Sequence, residues 1–565
     1  MTANTNNSFS IPYKMATLQE VQAAIDSSVP VAFDTETKGL YGKICLAQFY
    51  QPHWPEAMLV HMPCQVTLAA MLNACDYHWL MYNGAYDLST IQAQIATVWP
   101  AKFDDLLFLA RLHWPKKNDF SLDDSLEYLL DFDVYGEANL DKSAMHKLDW
   151  SKPLTEDMRR YAALDVLYLH QLFNECKAEL DDFNYKLDML TAKYFITQLQ
   201  LTGLPVDQER LATQYANNNK RIAEINLPIN ANSYIQVRKY INSTESDDLG
   251  LAKLDLKGDQ RARDVRQTRK LRKENSFLDK FNSDRIYGRF SPSTRSGRSA
   301  CKDQNLQQLP RSTKGLFGYT PEADRCIIFS DYAQLELRCA AVAVPEHLMV
   351  ELMTAGEDMH NYVAAKIFGP DFTKQHRQIA KTCNFNLLYG GSAGMLQSIL
   401  IAKADTWLEL DEVTKIRNAW LNVFSGFAAW HESGIRAWRS KKVWQTPSGR
   451  KYLGKLMTDQ VNIMIQGMGA EVAKLAMHYM LRDGWFSDND IKLANFVHDS
   501  YIFDAPRDEA LYTEASNRIA SSMQEAWFEI SAQCAIKDLA MPVQVLVGYN
   551  WGDIEKGDYF YEHKI

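Results

Sequence analysis

The chain has 565 residues, 46% hydrophobic and 23% charged, with a formal net charge of −9. This composition is ordinary for a globular protein, and no stretch approaches the ~20 consecutive apolar residues of a membrane span. The nine cysteines form no C-x-x-C pair, which argues against a disulfide framework or a zinc ribbon and favours a reducing cytoplasm. The length predicts about three or four domains. The acidic balance, taken alone, argues against a polyanionic partner.

Roughly the first 180 residues alternate short apolar strands with helical stretches, a pattern typical of an α/β domain. The segment 31–36 predicts a strand on which Asp34 and Glu36 project from one face, because they lie two residues apart. Adjacent carboxylates are costly unless a cation holds them. The alternative is an ordinary strand end at the surface.

Two later segments add carboxylates to this pair. Asp87 follows a strand and a glycine turn, and Thr155 is placed to cap a helix on which Tyr161 and Asp165 share a face, because they are four residues apart. Mg²⁺ and Mn²⁺ prefer carboxylate oxygens, and a two-metal site needs about three or four of them. These segments together predict a two-metal site.

The charge is unevenly distributed along the chain. Residues 251–302 hold fifteen Lys/Arg and six Asp/Glu, a local charge of +9 that leaves −18 on the rest. The densest part, residues 261–273, has helical spacing. A solvated helix face is the common explanation of such a run, but the polar, basic stretch after it favours a surface that binds a row of phosphate groups.

Two further strand signals surround Asp331 and Asp499. Asp331 lies where a strand passes into a helix, and Asp499 lies near the turn of a hairpin. Pairing of the two strands would bring the carboxylates together, as phosphoryl transfer across two metals requires. The backbone carbonyl of Tyr332 offers a further oxygen ligand.

Between these strands the segment 376–391 predicts a helix. Arg377, Lys381, Phe385 and Tyr389 recur every four residues and share one side of it. Two cations followed by two aromatic rings suit the phosphates, sugar and base of a nucleoside triphosphate. An ordinary amphipathic helix with basic residues near one end is the alternative.

The motifs resemble two known families. FDTET, N-G-x-x-D and Y-x-x-x-D, in this order, resemble the three motifs of DnaQ-like 3′–5′ exonucleases. D-Y-x-Q-x-E-L-R, R-x-x-x-K-x-x-x-F-x-x-x-Y-G and V-H-D resemble the three motifs of family-A DNA polymerases. The resemblance covers the chain from about residue 13 to 555.

The resemblance implies a multidomain fold of α/β and α+β classes. An RNase H-like (DnaQ-like) exonuclease domain over 1–185 precedes a right-hand polymerase domain over 186–565. Within the latter we expect a thumb over about 186–290, a palm over 291–350 and 440–565, and fingers over 351–439.

The resemblance also implies roles for individual residues. The exonuclease metal ligands are Asp34, Glu36, Asp87 and Asp165, with Tyr161 orienting the attacking water. The polymerase metal ligands are Asp331, Tyr332 and Asp499, and Lys381 is a candidate proton donor to the pyrophosphate. Among the dNTP contacts, His360, Arg377 and Lys381 would lie at the triphosphate, and Phe385 at the sugar. Glu336 would act as a steric gate against ribose, and Tyr389 would lie beside the templating position. Gln334 is a further dNTP contact. The DNA contacts are Arg298, Asn462, Gln466 and His498.

The sequence departs from the family pattern at several positions. Ser500 stands where the family usually has Glu, Asn386 where it usually has Gly, and Thr458 where it often has Arg. We therefore expect any third-ligand contribution at Ser500 to be reduced or water-mediated. The thumb segment, about 204–289, is short, and its middle, residues 230–250, reads as irregular.

The sequence thus predicts a DNA-templated DNA polymerase that adds dNTPs to a primer 3′ end and proofreads 3′–5′, with two Mg²⁺ or Mn²⁺ ions per active site. Its partners would be primer–template DNA and dNTPs, with phage or host replication proteins open as further partners. We expect a monomer without a membrane segment, in the cytoplasm, or in that of a bacterial host if the chain is phage-encoded. No room precedes Asp34 for the family's 5′-nuclease domain, so no flap cleavage is expected.

Two other classes of function stay open at this point. One is a 3′–5′ exonuclease whose polymerase half mainly binds DNA, and the other is a non-catalytic replisome scaffold. The net charge of −9 no longer argues against DNA, since part of the acidity belongs to the predicted metal ligands.

Overall fold

The computed structural model describes residues 11–39, 42–95, 98–178, 180–292, 294–344 and 346–564. The chain forms two compact units. The first comprises Met1–Gln198 with Ser291–Arg295 and Gly449–Lys451, and the second comprises Leu199–Phe290, Ser296–Ser448 and Tyr452–Ile565. Within the described ranges, no helix has the length and apolar character needed to cross a membrane.

The first unit has six strands and ten helices among its described residues. The strands are β1 (Tyr13–Met15), β2 (Val31–Thr37), β3 (Ile44–Tyr50), β4 (Ala57–His61), β5 (His78–Met81) and β6 (Lys102–Asp105). The helices are α1 (Leu18–Ala24), α2 (Gln65–Leu72), α3 (Gly84–Gln94), α4 (Leu106–His113), α5 (Leu122–Leu130), α6 (Val134–Glu137), α7 (Lys142–Met145), α8 (Glu156–Leu167), α9 (Leu169–Lys177) and α10 (Asp182–Tyr194). A π-helical turn, Phe195–Leu199, follows.

The sheet of this unit is mixed, in the order β1-β4-β3-β2-β5-β6. Strand β2 runs antiparallel to β3 and parallel to β5, so its residues lie in the middle of the sheet. Val31 and Phe33 pack into the hydrophobic core on one face, whereas Ala32 packs into the core on the other. Because side chains alternate along a strand, Asp34 and Glu36 lie on the face of Ala32, where α8 packs.

The second unit contains the remaining elements. Its strands are β7 (Leu204–Pro205), β8 (Arg285–Ile286), β9 (Arg289–Ser291), β10 (Ala300–Lys302), β11 (Arg325–Tyr332), β12 (Trp444–Gln445), β13 (Lys451–Tyr452), β14 (Lys492–Val497), β15 (Ser500–Pro506), β16 (Val543–Gly548) and β17 (Tyr561–Lys564). Its helices before β11 are α11 (Gln200–Thr202), α12 (Gln208–Ile225), α13 (Tyr234–Ile241), α14 (Asp248–Leu256) and α15 (Gln260–Leu278), followed by a 3₁₀ helix, Arg311–Leu316.

The later helices of this unit are α16 (Leu335–Ala343), α17 (His347–Thr354), α18 (Met359–Phe368), α19 (Lys374–Leu387), α20 (Ala393–Ala404), α21 (Leu410–Val423), α22 (Ser425–Arg439), α23 (Met457–Leu481), α24 (Trp485–Asp488), α25 (Glu509–Ser531) and α26 (Trp551–Ile554).

A five-stranded antiparallel sheet, in the order β14-β15-β11-β16-β17, is central to the second unit. Strand β11 pairs with β15 so that Ser330 is opposite Tyr501, and β14 and β15 form a hairpin that turns at His498 and Asp499. The predicted pairing of these two segments is confirmed. Helices α23 and α25, which pack together, bury many apolar side chains.

The segment between the long helices α12 and α15 differs from expectation. It was expected to be irregular, but it contains α13 and α14, so that expectation is wrong. The side chains of Ser233 and Asp247 cap these helices by accepting hydrogen bonds from the amides of Gln236 and Gly250. A small core also holds them, formed by Ala231, Val237, Ile241, Leu251, Ala262 and Val265.

The basic segment forms α15, as its spacing predicts, but several of its cations are engaged within the chain. Arg263 and Arg266 pair with Asp255 at 2.7 and 2.5 Å, which ties α15 to α14. Lys270 and Lys273, by contrast, are exposed. The binding of DNA by this surface stays a prediction.

The helix predicted to carry Arg377 to Tyr389 is shorter than expected. It ends at Leu387, so Tyr389 lies in the turn that follows. Gly390 adopts φ 72°, a conformation that favours glycine and stops the helical ladder. The chain therefore turns between Phe385 and Tyr389, so these two residues do not lie on one helix as predicted.

Candidate active sites

The first unit gathers three carboxylates from two elements. Oxygen atoms of Asp34 and Glu36 on β2 and of Asp165 on α8 all lie within 4.8 Å of one another. Thr155 accepts a hydrogen bond from the Met158 amide at 3.2 Å and so fixes the start of α8, as predicted. The strand and the helix thus converge on one acidic cluster.

Hydroxyl groups hold Asp165 and also Asp87, which is not part of the three-carboxylate cluster. The Thr35 hydroxyl donates to Oδ1 of Asp87 at 2.5 Å, and Asp87 lies in the first turn of α3. The Tyr135 hydroxyl donates to Oδ1 of Asp165 at 2.6 Å. Asp87 and Asp165 are therefore oriented before any ligand binds.

Burial raises the pKa of every acid in this group. The pKa of Asp87 and that of Asp165 rise to about 7, mainly through desolvation. The pKa values of Asp34 and Glu36 rise well above their usual range, first through burial and then through the charges of Asp87 and Asp165. A divalent cation relieves such repulsion, and this all-oxygen donor set fits a hard ion.

Tyr161 lies one helical turn before Asp165 and is buried. Its ring centroid is 5.6 Å from that of Tyr135 and 6.2 Å from that of Trp150. Burial and the charge of Asp165 raise its pKa, so the hydroxyl keeps its proton and can donate a hydrogen bond. Lys142 lies 5.4 Å from the Tyr135 ring centroid and 2.5 Å from Asp123, and its charge lowers the pKa of Glu36 and Asp165.

The second unit brings Asp331 and Asp499 together. Burial, and next the charge of Asp499, raises the pKa of Asp331 to about 8. The pKa of Asp499 rises to about 6 through burial and then the charge of Glu336. Two neighbouring carboxyls, one at the end of β11 and one in the β14–β15 turn, form a second oxygen donor set that fits divalent cations.

The residues around this pair separate into backbone and side-chain roles. The Tyr332 hydroxyl donates to the carbonyl of Met523 at 2.9 Å, so its side chain belongs to the interior. Gln334 adopts φ 59° at the start of α16. The Ser500 hydroxyl donates to the carbonyl of Val497 at 3.1 Å and so closes the hairpin turn.

Several predicted nucleotide and DNA contacts lie near this pair. Arg298 forms an ion pair with Glu336, and the charge of Arg298 lowers the pKa of Asp499 and of His498. Burial and the charge of Glu336 raise the pKa of Tyr389. The side chain of Gln466 partly opposes this rise in the pKa of Tyr389. In the orientation that satisfies its amide, Asn462 donates to the carbonyls of Thr458 and Tyr389 at 3.2 Å.

The residues predicted to contact the triphosphate and the sugar lie on α18 and α19, which pack together. Arg377 pairs with Asp358 at 2.6 Å and donates to Asn361 at 2.7 Å, whereas Lys381 is exposed. The rings of His360 and Phe385 are 6.0 Å apart. Burial lowers the pKa of His360 to about 4, so its ring is neutral near pH 7.

Sequence reasoning missed Tyr135, Lys142 and Asn384. Tyr135 and Lys142 lie on the short helices α6 and α7, far along the chain from the acids they affect. Asn384 lies among the fingers residues, but its hydrogen bond to His360 joins two helices. No local motif marks contacts of this kind.

Comparisons with known proteins assign two regions of the chain to two families. The family model described as DNA polymerase family A matches residues 226–553, and one described as 3'-5' exonuclease matches residues 9–181. DNA polymerase I of Aquifex aeolicus is 26% identical over 462 residues, which cover 73% of this chain and 79% of that protein. DNA polymerase I of Chloroflexus aurantiacus is 25% identical over 488 residues, which cover 75% of this chain and 48% of that protein.

A solved structure extends the likeness to the fold. The POL domain of Pol1 from M. smegmatis, in complex with DNA primer-template and dNTP, matches with a TM-score of 0.71 at 17% sequence identity, over 96% of this chain and 99% of that one. The two family models together define a polymerase that carries an exonuclease domain. The chain belongs to DNA polymerase family A, with a 3′–5′ exonuclease domain ahead of the polymerase domain.

Proposed function

We propose that this family A polymerase extends a primer 3′ end with dNTPs at the Asp331–Asp499 pair and removes mismatched 3′ nucleotides at the Asp34–Glu36–Asp165 cluster. The observation that carries the proposal is that each compact unit has a set of neighbouring buried carboxyls. Each set has the oxygen donors and the raised pKa values that suit two-metal phosphoryl transfer.

In the polymerase site, Asp331, Asp499 and the carbonyl of Tyr332 would hold two Mg²⁺ or Mn²⁺ ions. When bound, these ions would neutralise charge on the phosphates and activate the primer 3′-hydroxyl. Arg377 and Lys381 supply positive charge to the triphosphate, and Lys381 can give a proton to the leaving pyrophosphate.

The remaining contacts select the nucleotide. Glu336, held by Arg298, would block a ribose 2′-hydroxyl. Phe385 would lie against the sugar, Tyr389 beside the templating base, and Gln334 and His360 against the incoming nucleotide. Asn462, Gln466, Arg298 and His498 would contact the duplex, with the first three at minor-groove acceptors shared by correct pairs.

In the exonuclease site, Asp34, Glu36, Asp87 and Asp165 would hold the ions that activate the attacking water. Tyr161, which keeps its proton, would orient that water by a hydrogen bond. The site would act on the single-stranded 3′ end of a mispaired primer. The subdomain boundaries given above, the monomeric state and the cytoplasmic location are further parts of this proposal.

A primer-extension panel tests the proposal. With Mg²⁺ and four dNTPs, the chain should extend a matched primer, and a mismatched 3′ nucleotide should be released before extension. Absence of extension would favour the exonuclease whose polymerase half only binds DNA. Absence of both reactions would favour the scaffold.

A further inference from the structure

A buried chain of polar groups connects the core of the fingers to His360. The indole N–H of Trp420 donates to Oδ1 of Asn384 at 2.7 Å, and the amide nitrogen of Asn384 lies 2.9 Å from Nδ1 of His360. Trp420 and Asn384 are fully buried, and His360 is 5% exposed. The three residues come from α21, α19 and α18, so the chain crosses three helices.

The direction of these hydrogen bonds follows from their chemistry. An indole nitrogen can only donate, so the atom of Asn384 that faces Trp420 is the oxygen. The NH₂ group of Asn384 then faces His360 and can only donate. Nδ1 of His360 must therefore accept, and an accepting ring nitrogen carries no proton.

We propose that Asn384 is a positioning residue that holds His360 as the neutral tautomer with its proton on Nε2. The inference rests on the proposed function only in placing the triphosphate beside His360. His360 would then act as a neutral hydrogen-bond donor to a phosphate oxygen, while Arg377 and Lys381 supply the positive charge. Among the described residues, Nε2 has no hydrogen-bond partner, so this donor stays available.

The charges around the ring agree with a neutral imidazole. The pKa of His360 falls to about 4, mainly through burial; Asp358 opposes this shift, and the cations Lys381 and Arg377 add to it. A protonated ring would also place an N–H against the NH₂ group of Asn384, which is unfavourable because both groups donate. Two independent features therefore exclude the imidazolium near pH 7.

The tautomer can be measured directly in the full-length wild-type protein. Two-dimensional ¹H–¹⁵N spectra with labelled histidine, assigned with His360→Gln, report the protonation of each ring nitrogen. At pH 7.5 we expect Nδ1 of His360 to be unprotonated and Nε2 to be protonated. A ring protonated on Nδ1 would overturn the inference, whatever any enzyme assay shows.

Asn384→Asp tests the consequence for the nucleotide. The new carboxylate can still accept from Trp420. It also accepts a hydrogen bond from Nδ1–H of His360, so a neutral ring carries its proton on Nδ1 and has only a lone pair on Nε2. At pH 8.5 the dNTP KM should rise by about tenfold or more, because a hydrogen bond to a charged group is lost. The new carboxylate also raises the pKa of the ring, so at pH 6 a protonated ring, whose Nε2 donates again, should bring KM back toward the wild-type value. The wild-type KM should show no such trend.

Two further variants keep the test interpretable. Gln378→Glu adds the same charge at an exposed position of α19 and should leave KM unchanged. His360→Gln keeps a donor near Nε2 and should stay within about threefold of wild type, whereas His360→Ala should raise KM about tenfold. A pH-independent KM in Asn384→Asp, together with the expected wild-type tautomer, would show that His360 does not contact the triphosphate and would overturn the positioning role.

Discussion

Asp499 lies in the hairpin turn beside the end of the strand that carries Asp331, and its charge helps to raise the pKa of Asp331 to about 8. The register explains this closeness, because Ser330 pairs with Tyr501 and each acid is a residue or two beyond that pair. Two segments far apart in the sequence thus form one donor set. The exonuclease cluster is likewise formed by distant segments, since Asp34 and Glu36 lie on strand β2 and Asp165 lies on helix α8.

The raised pKa values of the exonuclease acids predict a pH-dependent stability. Because folding raises the pKa of Asp87 and of Asp165 to about 7, the metal-free folded state holds more protons than the unfolded chain between about pH 4 and 7. Its unfolding free energy should therefore fall as pH rises through that range. Stabilisation by Mn²⁺ should grow with pH, since the ion replaces those protons.

Thermal unfolding of wild type and of Asp34→Asn with Glu36→Gln, with and without Mn²⁺, checks this. Without metal at pH 8, the double variant should be the more stable protein. A gain of about 1 kcal/mol corresponds to about 2–4 °C in Tm for a unit of this size. A wild-type Tm gain from Mn²⁺ that is equal at pH 5.5 and pH 8 would contradict the assignment.

Tyr135→Phe should weaken the exonuclease without unfolding it. The change removes only the hydroxyl that orients Asp165, and losing a partner of a metal ligand typically lowers metal affinity by about 10–100-fold. We expect a rise of that order in the Mn²⁺ dissociation constant, measured by calorimetry, and a slower exonuclease. Tyr128→Phe, at an exposed tyrosine of the same unit, is the matched control, and equal effects of the two changes would refute the role of Tyr135.

Ser500→Ala should leave the metal requirement of synthesis nearly unchanged. The Ser500 hydroxyl donates to the Val497 carbonyl within the turn. Its main contribution is therefore to the stability of the hairpin, and loss of this hydrogen bond costs about 1 kcal/mol. The Mg²⁺ concentration for half-maximal extension should shift less than about threefold. A much larger shift would identify Ser500 as a metal ligand.

Glu336→Ala should relax discrimination against ribonucleotides. The side chain, held by Arg298, would lie where a 2′-hydroxyl must fit. Single-nucleotide incorporation should show rNTP use rising about 100-fold relative to dNTP use, about 2.7 kcal/mol of discrimination. Unchanged selectivity in Glu336→Ala would place the steric gate elsewhere.

Much of the fold was predictable because its signals are local. Strand β2, Val31–Thr37, contains the predicted strand 31–36, and Thr155 caps α8 as expected. The end of α19 at Leu387 was missed because the spacing of four residues outweighed the glycines that stop the helix. The helices α13 and α14 were missed because their stability comes from capping and a small shared core.

The gathering of Asp34, Glu36 and Asp165 was predictable because a metal site needs particular residue types at particular spacings. Tyr135 and Asn384 were not, because each acts through a hydrogen bond to an element distant in the sequence. The basic segment was found from charge alone. The ion pairs of Arg263 and Arg266 with Asp255 were not predictable, because they depend on how α14 and α15 pack together.

We propose that the two carboxylate sets catalyse separate reactions. A paired assay of Asp34→Ala with Glu36→Ala and of Asp331→Ala, on matched and mismatched primers with Mg²⁺, is the sharpest test of this separation. We expect the first variant to extend matched primers at the wild-type rate without removing a mismatch, and Asp331→Ala to remove the mismatch without extending the primer. Loss of both reactions in either variant, with the fold intact, would contradict it.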